Sequence, residues 1–450
     1  MSDTDTETTA VQESELFGTG TFYQRGNYAP VQDELTEFDL VVEGSLPPEL
    51  DGWYLRNGPN PREATGHWFS GDGMLHGIRV ENGRAAWYRN RWVRTDSFEE
   101  DFPIYNADGT RNLRSAKANT HVVNHAGKTL ALVESSLPYE VTNDLETIGA
   151  YDFGGKLVDS MTAHPKICPT TGEMHFFGYG NLFDPHVSYH RVDANGELTI
   201  NRPVDVKALT MMHDFALTAD HVIFMDLPIV FDLDIATKGG GDMPYRWSDE
   251  YGARLGVLRR DDPYGPIRWF EIDPCYVFHV ANAYDTGNSI VIQAARYPEL
   301  WRHSGGFDAN AVMWTWTIDL ARGTVSEQQL DEHVVEFPRI DDRLAGLQAR
   351  YAVSVGGDKL VRQDLVTGNS VEHAFGTAAS PGVPGEAVFV PSTGPADEGN
   401  GYYLGYVYDP ARNGSDLVIL DAADFAGAPV ATIKLPHRVP FGFHGNWISA

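Results

Sequence analysis

Short apolar runs alternate with turn signals along most of the chain, and the 3.6-residue apolar period of long amphipathic helices is scarce. Five stretches read as β-hairpins: Ile78-Arg-Val-Glu-Asn-Gly-Arg84, Val122-Val-Asn-His-Ala-Gly-Lys128, Tyr189-His-Arg-Val-Asp-Ala-Asn-Gly-Glu-Leu198, Trp316-Thr-Ile-Asp-Leu-Ala-Arg-Gly-Thr324 and Arg362-Gln-Asp-Leu-Val-Thr-Gly368. Each sets an acid, amide or small residue and a glycine between two apolar runs, as a tight turn requires. Gly83, Gly127 and Gly172 are spaced by 44 and 45 residues, and Gly323 and Gly368 by 45. A strand meander with a loose repeat of that length has the size of a propeller blade, and division by seven leaves about 64 residues per blade, enough for four strands and long insertions. The pattern therefore suits an all-β β-propeller with room for seven blades, and with inserted loops or short helices capping one face.

Asp232 to Gly256 and Asp285 to Asn310 break the pattern and read as inserted loops or short helices. Residues 1–15 are polar, acidic and without apolar period, which predicts a disordered acidic tail, with order beginning near Gly18 to Tyr28. No linker or shift in composition divides residues 16–450, so they are expected to form a single domain.

Charge narrows the partners. Lys and Arg total 34 against 63 Asp and Glu, a formal net charge of −29, which argues against nucleic acid and against an anionic membrane beyond weak contact. The start of the chain lacks the features of a signal peptide, and no stretch approaches the roughly 18 apolar residues of a spanning helix. With only Cys168 and Cys275, no disulfide framework is possible, so a cytoplasmic location is expected.

Histidine carries the chemistry. Four of the 16 histidines sit in apolar or aromatic settings: His164, His213, His279 and His444, the last within Phe441-Gly-Phe-His-Gly-Asn-Trp447. Their gaps of 49, 66 and 165 residues suit ligands contributed by different blades and suit no local metal motif. Each alone is more often a core residue than a ligand, and His67, His76, His186 and His190 are also plausible by position. Cys168 and Cys275 each lie four residues from one of the four, which leaves a mixed zinc site open. No dinucleotide fingerprint, phosphate loop or serine nucleophile elbow is present.

The segments Gly52-Trp-Tyr-Leu-Arg-Asn-Gly-Pro-Asn-Pro61, Gly71-Asp-Gly-Met-Leu-His76, Ala118-Asn-Thr-His121, Leu132-Val-Glu134, Thr162-Ala-His-Pro-Lys166, Met212-His-Asp-Phe215, Phe337-Pro-Arg-Ile340, Gly385-Glu-Ala-Val-Phe-Val-Pro391 and Phe441-Gly-Phe-His-Gly445 resemble, in order, the landmarks of the carotenoid cleavage oxygenases. The resemblance implies a seven-bladed propeller with Fe(II) on its axis, held by the positions matching His164, His213, His279 and His444. It implies that Glu134, Glu336 and Glu386 bond three of those histidines, that the Thr120 methyl lies near the metal, and that Phe69 lines the substrate tunnel.

The expected activity is that of an oxidoreductase: O₂-dependent cleavage of a conjugated C=C bond of a carotenoid or apocarotenoid into two carbonyl products. An alternative is the same chemistry on stilbenes or phenylpropenes. Phenol-recognising relatives place a lysine just before the first of the three glutamates, where this chain has Val133. A different class also remains open, a metal-free or calcium-bearing propeller that hydrolyses lactones or binds ligands.

Overall fold

The turn glycines of the five predicted hairpins take the backbone where only glycine goes without strain: φ is 69° at Gly83, 77° at Gly127, 89° at Gly196, 73° at Gly323 and 75° at Gly368. The computed structural model describes residues 25–450 except 64, 66, 239–242, 303–308 and 394–396. The expected tail, residues 1–15, and the start of order near Gly18 lie outside the described residues. In each hairpin the flanking runs pair as antiparallel strands, for example Gly73–Glu81 with Arg84–Trp92 and His121–His125 with Lys128–Leu132.

Seven antiparallel sheets, the blades, follow one another around an axis. Blade two runs His121–His125, Lys128–Leu132, Tyr139–Val141, Thr147–Ala150; blade three Lys166–Ile167, Met174–Tyr179, Val187–Val192, Leu198–Val204. Blades four, five and six begin with the inner strands Phe215–Leu217, Tyr276–Thr286 and Glu336–Arg339. Middle strands such as Met174–Tyr179 are buried at every residue, because both of their faces meet a neighbouring blade. Outer strands such as Thr324–Val334 alternate exposed and half-buried positions. The apolar clusters accordingly lie between blades: Phe177 of blade three packs with Phe215 of blade four, centroids 5.4 Å apart.

Both ends of the described chain close the ring. Gly445–Ser449 is the innermost strand of blade one, pairing Arg56 with Gly445 and Gly52 with Ser449. Val41–Gly44 is the outermost strand of blade seven, pairing Val41 with Lys434. Tyr54, Ile78 and Tyr88 of blade one share an apolar cluster with Leu404, Tyr406 and Leu417 of blade seven.

The two predicted insertions fare differently. Asp232 to Gly256 begins as expected, with helix Leu233–Lys238 and strand Tyr245–Trp247, the latter paired to Ile229–Phe231; from Ala253 it is a strand of blade four. Asp285 to Asn310 is corrected, because Ser289–Tyr297 is the second strand of blade five, reached by a turn at Gly287. Of the polar residues that disguised it, buried Gln293 donates its Nε2 to the Leu365 carbonyl at 3.1 Å. Among the described residues no helix is long and apolar enough to cross a membrane.

Candidate metal centre and substrate tunnel

Every blade delivers a polar side chain to the axis at or near the start of its inner strand. In order these are His444, His121, His164, His213, His279, Glu336 and Glu386. His279 lies inside its strand, at a register shift between Val277 and Val280, and such a bulge re-aims a side chain. Phe337 has a φ of 54°, a conformation that costs a bulky residue about 1–3 kcal/mol, and it stacks on the His279 ring at 4.9 Å.

The four predicted histidines are gathered and buried. Ring centroids stand 4.5 Å apart for His164 and His213, 4.6 Å for His164 and His444, 4.7 Å for His279 and His444, and 5.2 Å for His213 and His279. His279 Nδ1 donates to Glu336 Oε2 at 2.5 Å, His444 Nδ1 donates to Glu386 Oε1 at 2.8 Å, and His213 Nδ1 contacts Glu134 Oε1. Those contacts fix one tautomer and leave each Nε2 lone pair facing the axis. His164 has no carboxylate partner among the described residues; its Nε2 is buried and unbonded. Burial, then the neighbouring imidazoles, hold His164 and His444 well below the usual imidazole range. Burial pushes His279 the same way, and the Glu336 carboxylate overcomes it and leaves His279 raised.

A divalent cation fits this set. His213 Nε2 and His279 Nε2 are 3.4 Å apart, and two unprotonated nitrogens at that distance repel unless a cation lies between them. His164, His279 and His444 offer donor atoms within 4.8 Å of one another, and so do Glu134, His164 and His213.

Several neighbours that sequence did not single out hold the centre. His121 is a fifth axial histidine, but its Nδ1 bonds the Ala163 carbonyl at 2.8 Å and its Nε2 accepts from Asn446 at 3.1 Å, so neither nitrogen is free. Asp214, 2% exposed, takes the Val280 N–H at 2.8 Å and the Lys166 ammonium at 2.8 Å, tying blades three, four and five. Arg339 joins Glu386, the Gly445 carbonyl and Asn446. Tyr179 donates to Glu134. His121, Asp214 and Arg339 fall within the landmark segments of the sequence, but a segment match carries no partner's name.

The other histidine candidates lie elsewhere: His76 bonds Tyr88, His67 packs on Phe69, His186 bonds Asn181, and His190 stacks on Phe176. Cys168 contacts Thr170, Cys275 is fully buried with its thiol pushed up to about 12, and neither joins a histidine group among the described residues.

A cavity of about 780 Å³ opens on the histidines. Thr120, Val133, Phe69, Trp68, Phe278 and Phe443 line it, together with Ile235 and Tyr245 of the capping insertion. The Thr120 hydroxyl donates to Asn119 Oδ1 at 3.0 Å, which leaves its methyl as the group free to face the cavity. Phe69 packs on Phe443 with centroids 5.6 Å apart, and its backbone carbonyl accepts from Asn119.

Residues 28–449 match the retinal pigment epithelial membrane protein family. The chain belongs to the carotenoid cleavage oxygenase family. It is 36% identical to a carotenoid cleavage oxygenase of Mycobacterium tuberculosis, over 94% of this chain and 97% of the relative. It is 33% identical to an isoeugenol monooxygenase of Pseudomonas putida, over 94% and 97%. The crystal structure of a Pseudomonas brassicacearum lignostilbene dioxygenase superposes with a TM-score of 0.85 at 28% identity, over 96% of this chain and 99% of that one. A carotenoid cleavage oxygenase is an oxidoreductase that splits a conjugated C=C bond with O₂, and the lactone-hydrolysing and calcium-bearing readings fall away.

Proposed function

We propose that the chain is an Fe(II) dioxygenase that cleaves one double bond of an apocarotenoid, with His164, His213, His279 and His444 as the iron ligands and residues 16–450 acting as one domain. The observation that carries this reading is the meeting of a large aromatic tunnel with four buried imidazoles gathered on the axis. Bound there, the iron supplies the O₂ activation that no side chain of the tunnel can perform.

The protein's own part is placement. Glu134, Glu336 and Glu386 hold the Nδ1 protons of three ligands, so that Nε2 is always the metal-facing atom. Phe69, Phe278, Phe337 and Phe443 grip a flat conjugated chain, and which double bond stops beside the centre sets the products. The Thr120 methyl and the tunnel's apolar walls exclude water from the reacting bond. No side chain is needed as a general acid or base.

The same chemistry on a stilbene or phenylpropene is the second reading, favoured by the isoeugenol monooxygenase and lignostilbene dioxygenase relatives. Against it, the position just before Glu134 is Val133, so the lysine of phenol-recognising relatives is missing there, although Arg111 and Lys117 line the tunnel elsewhere. Purified, iron-loaded protein incubated with apocarotenals, resveratrol-type stilbenes and isoeugenol-type alkenes, with products read by mass spectrometry, tests the choice. Paired aldehydes or ketones from the apocarotenals are expected, and turnover confined to the phenolic alkenes would reverse the order.

A further inference from the structure

At the seam between blades one and seven, beside the segment that carries His444, four polar side-chain atoms are buried without a hydrogen-bond partner: the Tyr54 hydroxyl, the Tyr406 hydroxyl, Arg56 Nε and Asn27 Oδ1. All four residues line one cavity of about 20 Å³. That is room for a single water-sized or halide-sized particle. The two tyrosine rings pack edge to face with centroids 5.0 Å apart, and the Arg56 guanidinium carbon stands 6.0 Å from the Tyr406 ring.

Arg56 decides what belongs there. It is 7% exposed, its Nη2 donates to the Pro440 carbonyl at 2.6 Å, and no carboxylate among the described residues pairs with it. Glu386 lines the same cavity, but its oxygens are committed to His444, Arg339 and the Gly445 N–H. Nor can the guanidinium swing outward, since the chain lies directly on it: a Cβ built on Gly442 would stand 1.9 Å from Arg56 Nη1. A buried, unpaired cation is costly. Burial holds both phenols well above their ordinary range, so they remain O–H donors.

We propose that this cavity binds one small monovalent anion of halide size, held by Arg56 Nε and the hydroxyls of Tyr54 and Tyr406. An anion accepts from all three donors and balances the guanidinium, whereas a water molecule leaves it only the charge of Glu386, which is already bonded to Arg339. The Asn27 amide becomes a fourth donor when its nitrogen and oxygen are exchanged. The bound anion ties blade one to blade seven and stiffens the Pro440–His444 segment. None of its donors is among the histidines proposed to hold the axial metal.

The test is thermal melting of the whole protein, dialysed into sodium gluconate, whose anion is too large for the cavity, and titrated with sodium chloride at constant ionic strength. A saturable rise in Tm of about 2–4 °C is expected. The rise should vanish in the Tyr54→Phe/Tyr406→Phe double variant, which keeps both rings and their packing. Crystals soaked in bromide should give an anomalous peak beside Arg56 Nε. A wild-type Tm indifferent to chloride, a rise that survives in the double variant, or a cavity that refines as water without a bromide signal overturns the assignment.

Discussion

His444 and Glu386 meet across the seam that closes the ring: the imidazole Nδ1 lies 2.8 Å from one carboxylate oxygen, while the other takes the N–H of Gly445 at 2.9 Å and Arg339 at 3.1 Å. One buried carboxylate thus orients a histidine of the centre and pins the first residue of the closing strand. Glu386→Gln keeps the shape and loses the charge. Losing such an outer partner typically costs about 10–100-fold in metal affinity or activity, and Glu134→Gln and Glu336→Gln should fall in the same range. Iron titration and steady-state rates check this, and wild-type values in all three variants would remove the orienting role.

The histidines themselves should give a sharper loss. His213→Ala, or alanine at His164, His279 or His444, should leave the protein with little iron and almost no turnover, measured by elemental analysis and O₂ consumption. His186→Ala should retain both, because its ring bonds Asn181 far from the axis. A His213→Ala protein with full metal and full rate contradicts the ligand set.

Phe69 separates tunnel from centre. Truncating it to alanine removes a ring that packs on Phe443 and leaves the four histidines untouched. Iron content should be unchanged while kcat/KM falls by about 10–200-fold, the range for lost apolar contact in a substrate pocket. Loss of iron would instead make Phe69 a support of the metal centre.

Acid sensitivity is expected from His190, whose two ring nitrogens are buried without partners on the face of Phe176. Burial lowers its pKa to about 3, against about 6.5 in the unfolded chain. A base depressed in the folded state contributes stability that is fully present above pH ~6.5 and is lost as the pH falls from there toward 3. At pH 5 the loss is about 2 kcal/mol. His190→Phe keeps the stacking and removes the titration, so its melting temperature should drop less between pH 7.5 and pH 5 than that of the unaltered protein. Parallel curves would discount His190 as a source of acid lability.

The closing strand should unite fold and chemistry. Deleting residues 441–450 removes the inner strand of blade one together with His444, exposes the edge of Gly52–Pro59 and should give poorly soluble protein without iron. His444→Ala should lose iron yet remain soluble and folded, since Phe443 and Trp447 still pack. A soluble, active deletion would show that Gly52–Pro59 needs no partner.

Turn chemistry was the most legible part of the sequence, because it is local: an Asn-Gly or Ala-Gly pair between apolar runs specifies its own backbone, as at Gly83 and Gly127. The four histidines were visible as imidazoles in apolar surroundings, but nothing in their spacing distinguished them from His190, whose setting is as apolar and whose ring is simply buried. Resemblance to the family made that choice. His121, Asp214 and Arg339 fall within the landmark segments but were given no role, because their roles depend on partners in other blades: Arg339 reaches Gly445 across 106 positions, and Asn446 reaches His121 across 325. Ser289–Tyr297 was hidden by polar residues such as Gln293, whose bond to the Leu365 carbonyl exists only once the blades are assembled.

The double closure of the ring also orders events in time. Because Val41–Gly44 lies outermost on blade seven and Gly445–Ser449 innermost on blade one, a chain still being synthesised can stack its middle blades in sequence, yet it lacks His444 and keeps an unsealed wall until the closing strand has been made. If the proposed ligand set holds, the complete metal site can form only after that strand has been made.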